Sequence, residues 1–216
     1  PPRPDAGEGR GRIRLETVLE GVRFVRRQPV VLGSMSLDMF AVIFAGAVAL
    51  LPVYADEILG VGARGYGLLS AAMSIGTFSM ALLLLVAPPI RFAGRALLVA
   101  VVFYGVATIV FGLSRSFGLA VGALIVAGMA DQISMVTRSI LVQLSTPDAL
   151  RGRVSSVNMI FIGASNELGG AESGFLASLT TATFSVVAGG FACLGVVATV
   201  ALRVPSLRRY DIRDHA

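Results

Sequence analysis

The sequence predicts an all-α membrane protein, a bundle of six transmembrane helices. Three observations predict it. The chain holds six long apolar runs, each able to cross about 30 Å of hydrocarbon at about 1.5 Å per residue. Only 14% of its 216 residues are charged, against roughly 25% in a soluble domain. The arginines fall almost wholly on alternate connections between the runs, which a random scatter of surface charge does not produce. A mean hydropathy of +0.81 also excludes a disordered chain.

Residues 1–11 are Pro, Gly and charge and read as a flexible linker. The chain opens on Pro1-Pro2-Arg3-Pro4, with no initiator Met and no signal peptide, as the middle of a longer protein does. Residues 12–28 read as an amphipathic helix in the headgroup region. Leu15, Val18, Leu19, Val22 and Val25 recur at helical spacing, and Glu16, Glu20, Arg23, Arg26 and Arg27 fill the other face. Pro29 suits the first turn of a new helix.

The bundle is expected over 29–204, with spans at about 29–54, 66–87, 95–113, 117–144, 154–179 and 182–202. The spans are rich in Gly, Ala, Ser and Thr, which lets helices approach closely in lipid. Residues 205–216 read as a cytoplasmic tail. Arg23, Arg26 and Arg27 precede the first span, Arg91 and Arg95 follow the second, Arg151 and Arg153 follow the fourth, and Arg203, Arg208, Arg209 and Arg213 follow the sixth. The opposite connections carry only Arg64, offset by Asp56 and Glu57, and Arg115. Both termini are therefore predicted on the cytoplasmic side.

Composition narrows function by exclusion. The charges sit at membrane edges rather than on one basic face, so the net charge of +5 does not predict nucleic-acid binding. The single cysteine, Cys193, lies in an apolar run and rules out a disulfide framework or a Cys-rich metal site. The single histidine, His215, is in the tail, so a Ser/His hydrolase is unsupported. No HExxH and no GxxxxGK[ST] occurs. No metal, cofactor or enzymatic activity is expected, and transport is the leading class.

Ionisable groups at bilayer depth mark functional sites, because each is expensive to insert. Asp38 lies about 13 Å into the first span, on a face with Ser34, Ala41 and Ala45. It either borders a wet cavity or is satisfied by a neighbouring helix. In the fourth span Asp131, Ser134 and Arg138 share a face. Asp131 and Arg138 stand two turns apart, about 10 Å, too far to pair directly. Each is expected to find a partner on another helix, as a structural pair able to latch one conformation, unless Arg138 snorkels to the cytoplasmic edge. In the fifth span Gly163, Asn166, Glu167, Gly170 and Gly174 form one stripe. A carboxylate and an amide among glycines suit a cavity wall; the alternative is tight helix packing through Gly163, Gly170 and Gly174. Ser70, Ser74 and Thr77 add a weaker polar stripe to the second span.

Three stretches resemble a known family. The first is Thr146-Pro-Asp-Ala-Leu-Arg151-Gly-Arg-Val-Ser-Ser-Val-Asn158 with Phe161-Ile-Gly-Ala-Ser-Asn-Glu-Leu-Gly169. The second is Leu19-Glu-Gly-Val-Arg-Phe-Val-Arg-Arg27. The third is Leu37-Asp-Met-Phe-Ala-Val with Leu51-Pro-Val-Tyr-Ala. Together they resemble the drug- and siderophore-exporter branch of the major facilitator superfamily, from its seventh helix onward. The likeness covers nearly the whole chain after about Arg12. It implies the C-terminal half of a twelve-helix transporter, built of two inverted three-helix repeats. It implies proton-coupled export of an amphipathic small molecule by alternating access, with Asp38, Glu167, Asn166 and Asp131 as coupling or cavity residues. Arg138, Asp131, Arg151 and Arg153 are the structural or gating ion-pair candidates. The implied partners are the bilayer, the substrate and an N-terminal six-helix half, or a second copy; the implied location is the bacterial plasma membrane. A non-transporting membrane scaffold remains the alternative. Two departures stand out. The loop Pro88–Arg95 keeps only R-x-x-G-R of the superfamily signature and lacks its acidic residue, which argues against a gating ion pair there. Gly170 stands where the pattern often has a second carboxylate, so Glu167 is expected to act without one.

Overall fold

The computed structural model describes residues 15–212 except Ala45 and Pro89. The expected linker at 1–11 and the last four residues, 213–216, lie outside the described residues. All regular structure within them is helical.

After α1 (Leu15–Arg27), the first apolar run is not one continuous α-helix. It divides into α2 (Pro29–Phe44), a 3-10 turn (Ala47–Leu50), α3 (Leu51–Val53) and a π turn (Tyr54–Ile58). Pro52 accounts for part of this, because it lacks an N–H and its ring crowds the carbonyl four residues back. The run thus extends four residues beyond the expected Tyr54. Gly60 and Gly62, at φ of 62° and 63°, turn the chain into α4 (Gly62–Val86). Then follow α5 (Ala93–Leu113), α6 (Phe117–Leu144), a 3-10 turn (Asp148–Leu150), α7 (Arg151–Leu179), α8 (Ala182–Arg203) and α9 (Pro205–Arg208). Thr181 caps α8, accepting the Phe184 N–H at 3.1 Å.

Five of these helical stretches are long and apolar enough to cross a membrane. α7 has the length, 29 residues, but carries Asn158, Asn166, Glu167 and Glu172. In lipid it needs protein neighbours for that polar content.

The first three spans and the last three interleave. α4 and α5 pack on α6, α5 also packs on α8, and α2 packs on α7 and α8. Glycines set the closest crossings. A Cβ on Gly76 of α4 would lie 2.1 Å from the Ile125 carbonyl oxygen, and one on Gly128 of α6 would lie 2.1 Å from that of Met73. Backbone contact of this kind replaces the hydrophobic drive that lipid removes. At the end of the bundle opposite the arginine-rich one, Tyr54 is fully buried on Phe111, with ring centroids 4.5 Å apart. Its hydroxyl donates to the Gly112 carbonyl at 2.9 Å, which satisfies the buried phenol.

Two peripheral segments pack on the bundle. α1 docks on α7, where a Cβ on Gly21 would sit 2.9 Å from the Arg153 carbonyl oxygen. Val25 joins Val31, Val154 and Val157 in a common cluster, while Arg23, Arg26 and Arg27 stay exposed. The tail also docks. Leu207 and Tyr210, one helical turn apart, are buried in the same core as Leu97, Leu141 and Val197.

Candidate functional site

The α2 face that bears Asp38 is small and polar, and it is buried. Ser34 is fully enclosed, its hydroxyl satisfied by the Val31 carbonyl at 3.0 Å. On α6, Ser134, Thr137, Arg138 and Leu141 form the buried face. Where the two helices meet, the Arg138 guanidinium donates to the Asp38 carboxylate. Asp38 is 8% and Arg138 6% exposed, so both charges are withdrawn from solvent. Arg138 therefore does not snorkel to the edge. Leu37 and Ala41 of α2, Leu141 of α6 and Cys193 of α8 share an apolar cluster beside the pair. A buried pair in such surroundings is held by its mutual charge.

A second carboxylate adjoins it. Asp131, two turns back along α6, is within electrostatic reach of both Asp38 and Arg138. Tyr104 of α5 is within reach of both carboxylates. Arg138 thus pairs with Asp38 and lies within longer electrostatic range of Asp131. Arg138 has the cross-helix partner that was expected, but Asp131 makes no ion pair within 4 Å among the described residues. Thr137, beside Arg138, is fully buried with a hydroxyl that bonds to no described residue.

The α7 stripe lies elsewhere. Asn166 and Glu167 are exposed. The packing role expected of Gly163, Gly170 and Gly174 needs correction. A Cβ at Gly163 or Gly174 would meet nothing within 4 Å, and one at Gly170 would reach only Ala49, at 3.9 Å. The contact glycine is Gly169, whose Cβ would lie 2.7 Å from the Val42 carbonyl oxygen. The reason is rotational. The buried face of α7 runs through Ser165, Gly169 and Ser173, about 100° away from the glycine stripe. That small-xxx-small spacing was the available signal. Glu172, half-buried beside Ser173, was not singled out either; it accepts the Ser173 hydroxyl at 3.5 Å.

Arg151 pairs with Asp148 at 3.0 Å and Arg153 with Glu20 at 2.6 Å, both at the arginine-rich end of the bundle. In the second span Ser74 and Thr77 donate back to the carbonyls of Ser70 and Met73. With Leu51 and Phe78 they line an apolar groove of about 500 Å³.

A broken first span, a buried charge pair between the first and fourth spans, and a polar face on the fifth are now in view. The model of one family, described as transmembrane secretion effector, matches residues 11–216. The chain belongs to that family, within the major facilitator superfamily. Among its relatives is the enterobactin exporter EntS of Escherichia coli O1:K1, 28% identical over 197 residues, which are 91% of this chain and 47% of the relative. The protein of the same name from Escherichia coli O139:H28 is 27% identical over 196 residues, with the same coverage. The chain spans about half the length of the curated relatives it matches. No solved structure matches. The chain is a multi-pass membrane protein with the fold of a major facilitator half, and the family and its named relatives are transporters rather than enzymes.

Proposed function

We propose that this chain is the C-terminal half of a secondary active exporter that moves an amphipathic small molecule out of a bacterial cell by alternating access. The observation that carries the reading is the buried Asp38–Arg138 pair with Asp131 beside it. Charge at bilayer depth is retained where ions or protons are handled. The pair also joins α2 to α6, the first helices of the two three-helix sets.

The exposed Asn166 and Glu167 face supports a second element of the reading. A carboxylate and an amide are poor lipid neighbours, so this face meets the N-terminal half of the same polypeptide across a wet cavity, or a second copy of the chain. The alternate placement of the arginines favours the plasma membrane with both termini cytoplasmic.

The test is flux through the full-length protein in proteoliposomes under an imposed pH gradient. The probes are enterobactin, named for the relatives, and an amphipathic dye. Flux above protein-free vesicles that falls in both Glu167→Gln and Asp38→Asn is expected. No flux of either probe would favour a membrane scaffold; unchanged flux in both variants would remove the coupling assignment.

A further inference from the structure

The chain's last described segment is bound in two unlike ways. Its first part is an anchor. Leu207 is fully buried, and a Cβ on Gly94 at the start of α5 would lie 1.6 Å from the Leu207 carbonyl oxygen, so the two backbones touch. Tyr210 is 6% exposed, and its hydroxyl accepts that of Ser145, which caps the end of α6, at 3.2 Å. The Arg95 side chain donates to the Arg208 carbonyl at 3.3 Å. These contacts rest on apolar burial and direct backbone packing, which do not weaken with salt.

The second part is a tip. Asp211 accepts from Arg91 at 3.0 Å, and the Ile212 N–H donates to the Arg91 carbonyl at 3.1 Å. Here the Arg91 side chain is 53% exposed. An ion pair with one partner half in solvent holds weakly and is screened by salt. The Arg91 guanidinium also lies 4.9 Å from the Phe92 ring centroid, a contact that does not depend on Asp211. Alongside, a cleft of about 390 Å³ between the segment and the ends of α2 and α6 leaves room to swing.

We propose that residues 205–212 are a two-part strap: a fixed anchor at Leu207 and Tyr210, and a releasable ionic tip at Asp211 and Ile212 that clamps the connection between α4 and α5. The connection carries no acidic residue of its own, so Asp211 supplies the charge that holds Arg91. The strap ties the start of α5, in the first three-helix set, to the end of α8 in the second. With the tip closed, the two sets are fastened at the arginine-rich end; with it open, the connection is freed while α9 stays in place. The device is a local equilibrium of the kind that amide exchange resolves. Its use in transport rests on the exporter reading, but the experiment does not.

The experiment is hydrogen exchange on the full-length protein, comparing the Ile212 amide at the tip with the Leu207 amide in the anchor. Asp211→Asn, or raising salt from about 0.05 M to about 0.5 M, is expected to speed Ile212 exchange by about two- to fivefold relative to Leu207. The charge-reversed pair Arg91→Asp with Asp211→Arg is expected to restore protection. Leu207→Ala, as the anchor control, is expected to release both amides together. Ile212 exchange unchanged in Asp211→Asn, both amides accelerating together there, or a reversed pair that restores nothing would each overturn the proposal.

Discussion

Arg138 of α6 donates to Asp38 of α2 across one hundred residues of sequence, and both side chains are withdrawn from solvent. Removing one member leaves the other charge buried and uncompensated, a loss of about 3–5 kcal/mol where such pairs have been broken in other proteins. Arg138→Met alone is therefore expected to lower the unfolding temperature of the full-length protein sharply. The double variant Asp38→Leu with Arg138→Met is expected to recover most of it, because apolar replacement of a whole buried pair is often neutral. Thermal unfolding in detergent reads this directly. A double variant no more stable than the single one would mean that the pair is not the main contact between α2 and α6.

Asp131 and Asp38 are expected to behave differently although one guanidinium is within electrostatic reach of both. Asp38 is held by Arg138, so Asp38→Asn disturbs the fold as well as function. Asp131 is outside ion-pair distance, and Asp131→Asn should leave unfolding nearly unchanged while pH-driven flux falls by about tenfold or more. Flux and unfolding measured on the same preparations separate the two. Full pH-driven flux in Asp131→Asn would leave the carboxylate without a role in coupling.

Two glycines of α6 give a test of packing with opposite signs. A Cβ on Gly128 would meet the Met73 carbonyl at 2.1 Å, whereas one on Gly122 would meet nothing within 4 Å. Gly128→Ala must push α4 from α6 and is expected to cost about 1–3 kcal/mol. Gly122→Ala removes backbone freedom at no steric expense and should stabilise by about 0.5–1 kcal/mol. If both alanines destabilise equally, the close α4–α6 crossing is not where the structure puts it.

Much of the architecture was legible because lipid imposes it. Length and apolarity gave the helical runs, and the family likeness gave the half-transporter fold. Partner choice was not legible. Asp38 and Arg138 each announce a buried charge, but nothing in the spacing of either helix says that they meet, since helix pairing is a tertiary fact. The α7 glycines show a related failure. Two small-residue faces lie about 100° apart on that helix, and the glycine stripe, read first as a cavity wall, was the one weighed for packing as the alternative. The neighbour decided: α2 approaches at Gly169, where the backbone of Val42 and Ile43 needs the space. The docking of the tail was not legible either, because Leu207 and Tyr210 are only two apolar side chains among arginines, too few for a periodic signal.

The α7 stripe and the native thiol can be read together by labelling. Cys193 is fully buried between α5 and α8, its thiol 3.9 Å from the Val101 carbonyl oxygen, so a water-soluble maleimide is expected to leave it untouched in the folded protein. That makes this chain its own silent background once any cysteines elsewhere in the full-length protein are replaced. Glu167→Cys and Asn166→Cys place a thiol on the exposed face of α7, and Ser165→Cys places one a residue away on the buried face. In the full-length protein the first two are expected to label through a wet cavity and the third is not. If the cavity opens and closes during transport, labelling at position 167 should also change when a probe that the flux assay shows to be transported is added, while position 165 stays silent. Labelling at Cys193 would mean that α5 and α8 part. Silence at both 166 and 167, with and without that probe, would mean that this face is sealed against another helix, and Glu167 would lose its claim to a cavity.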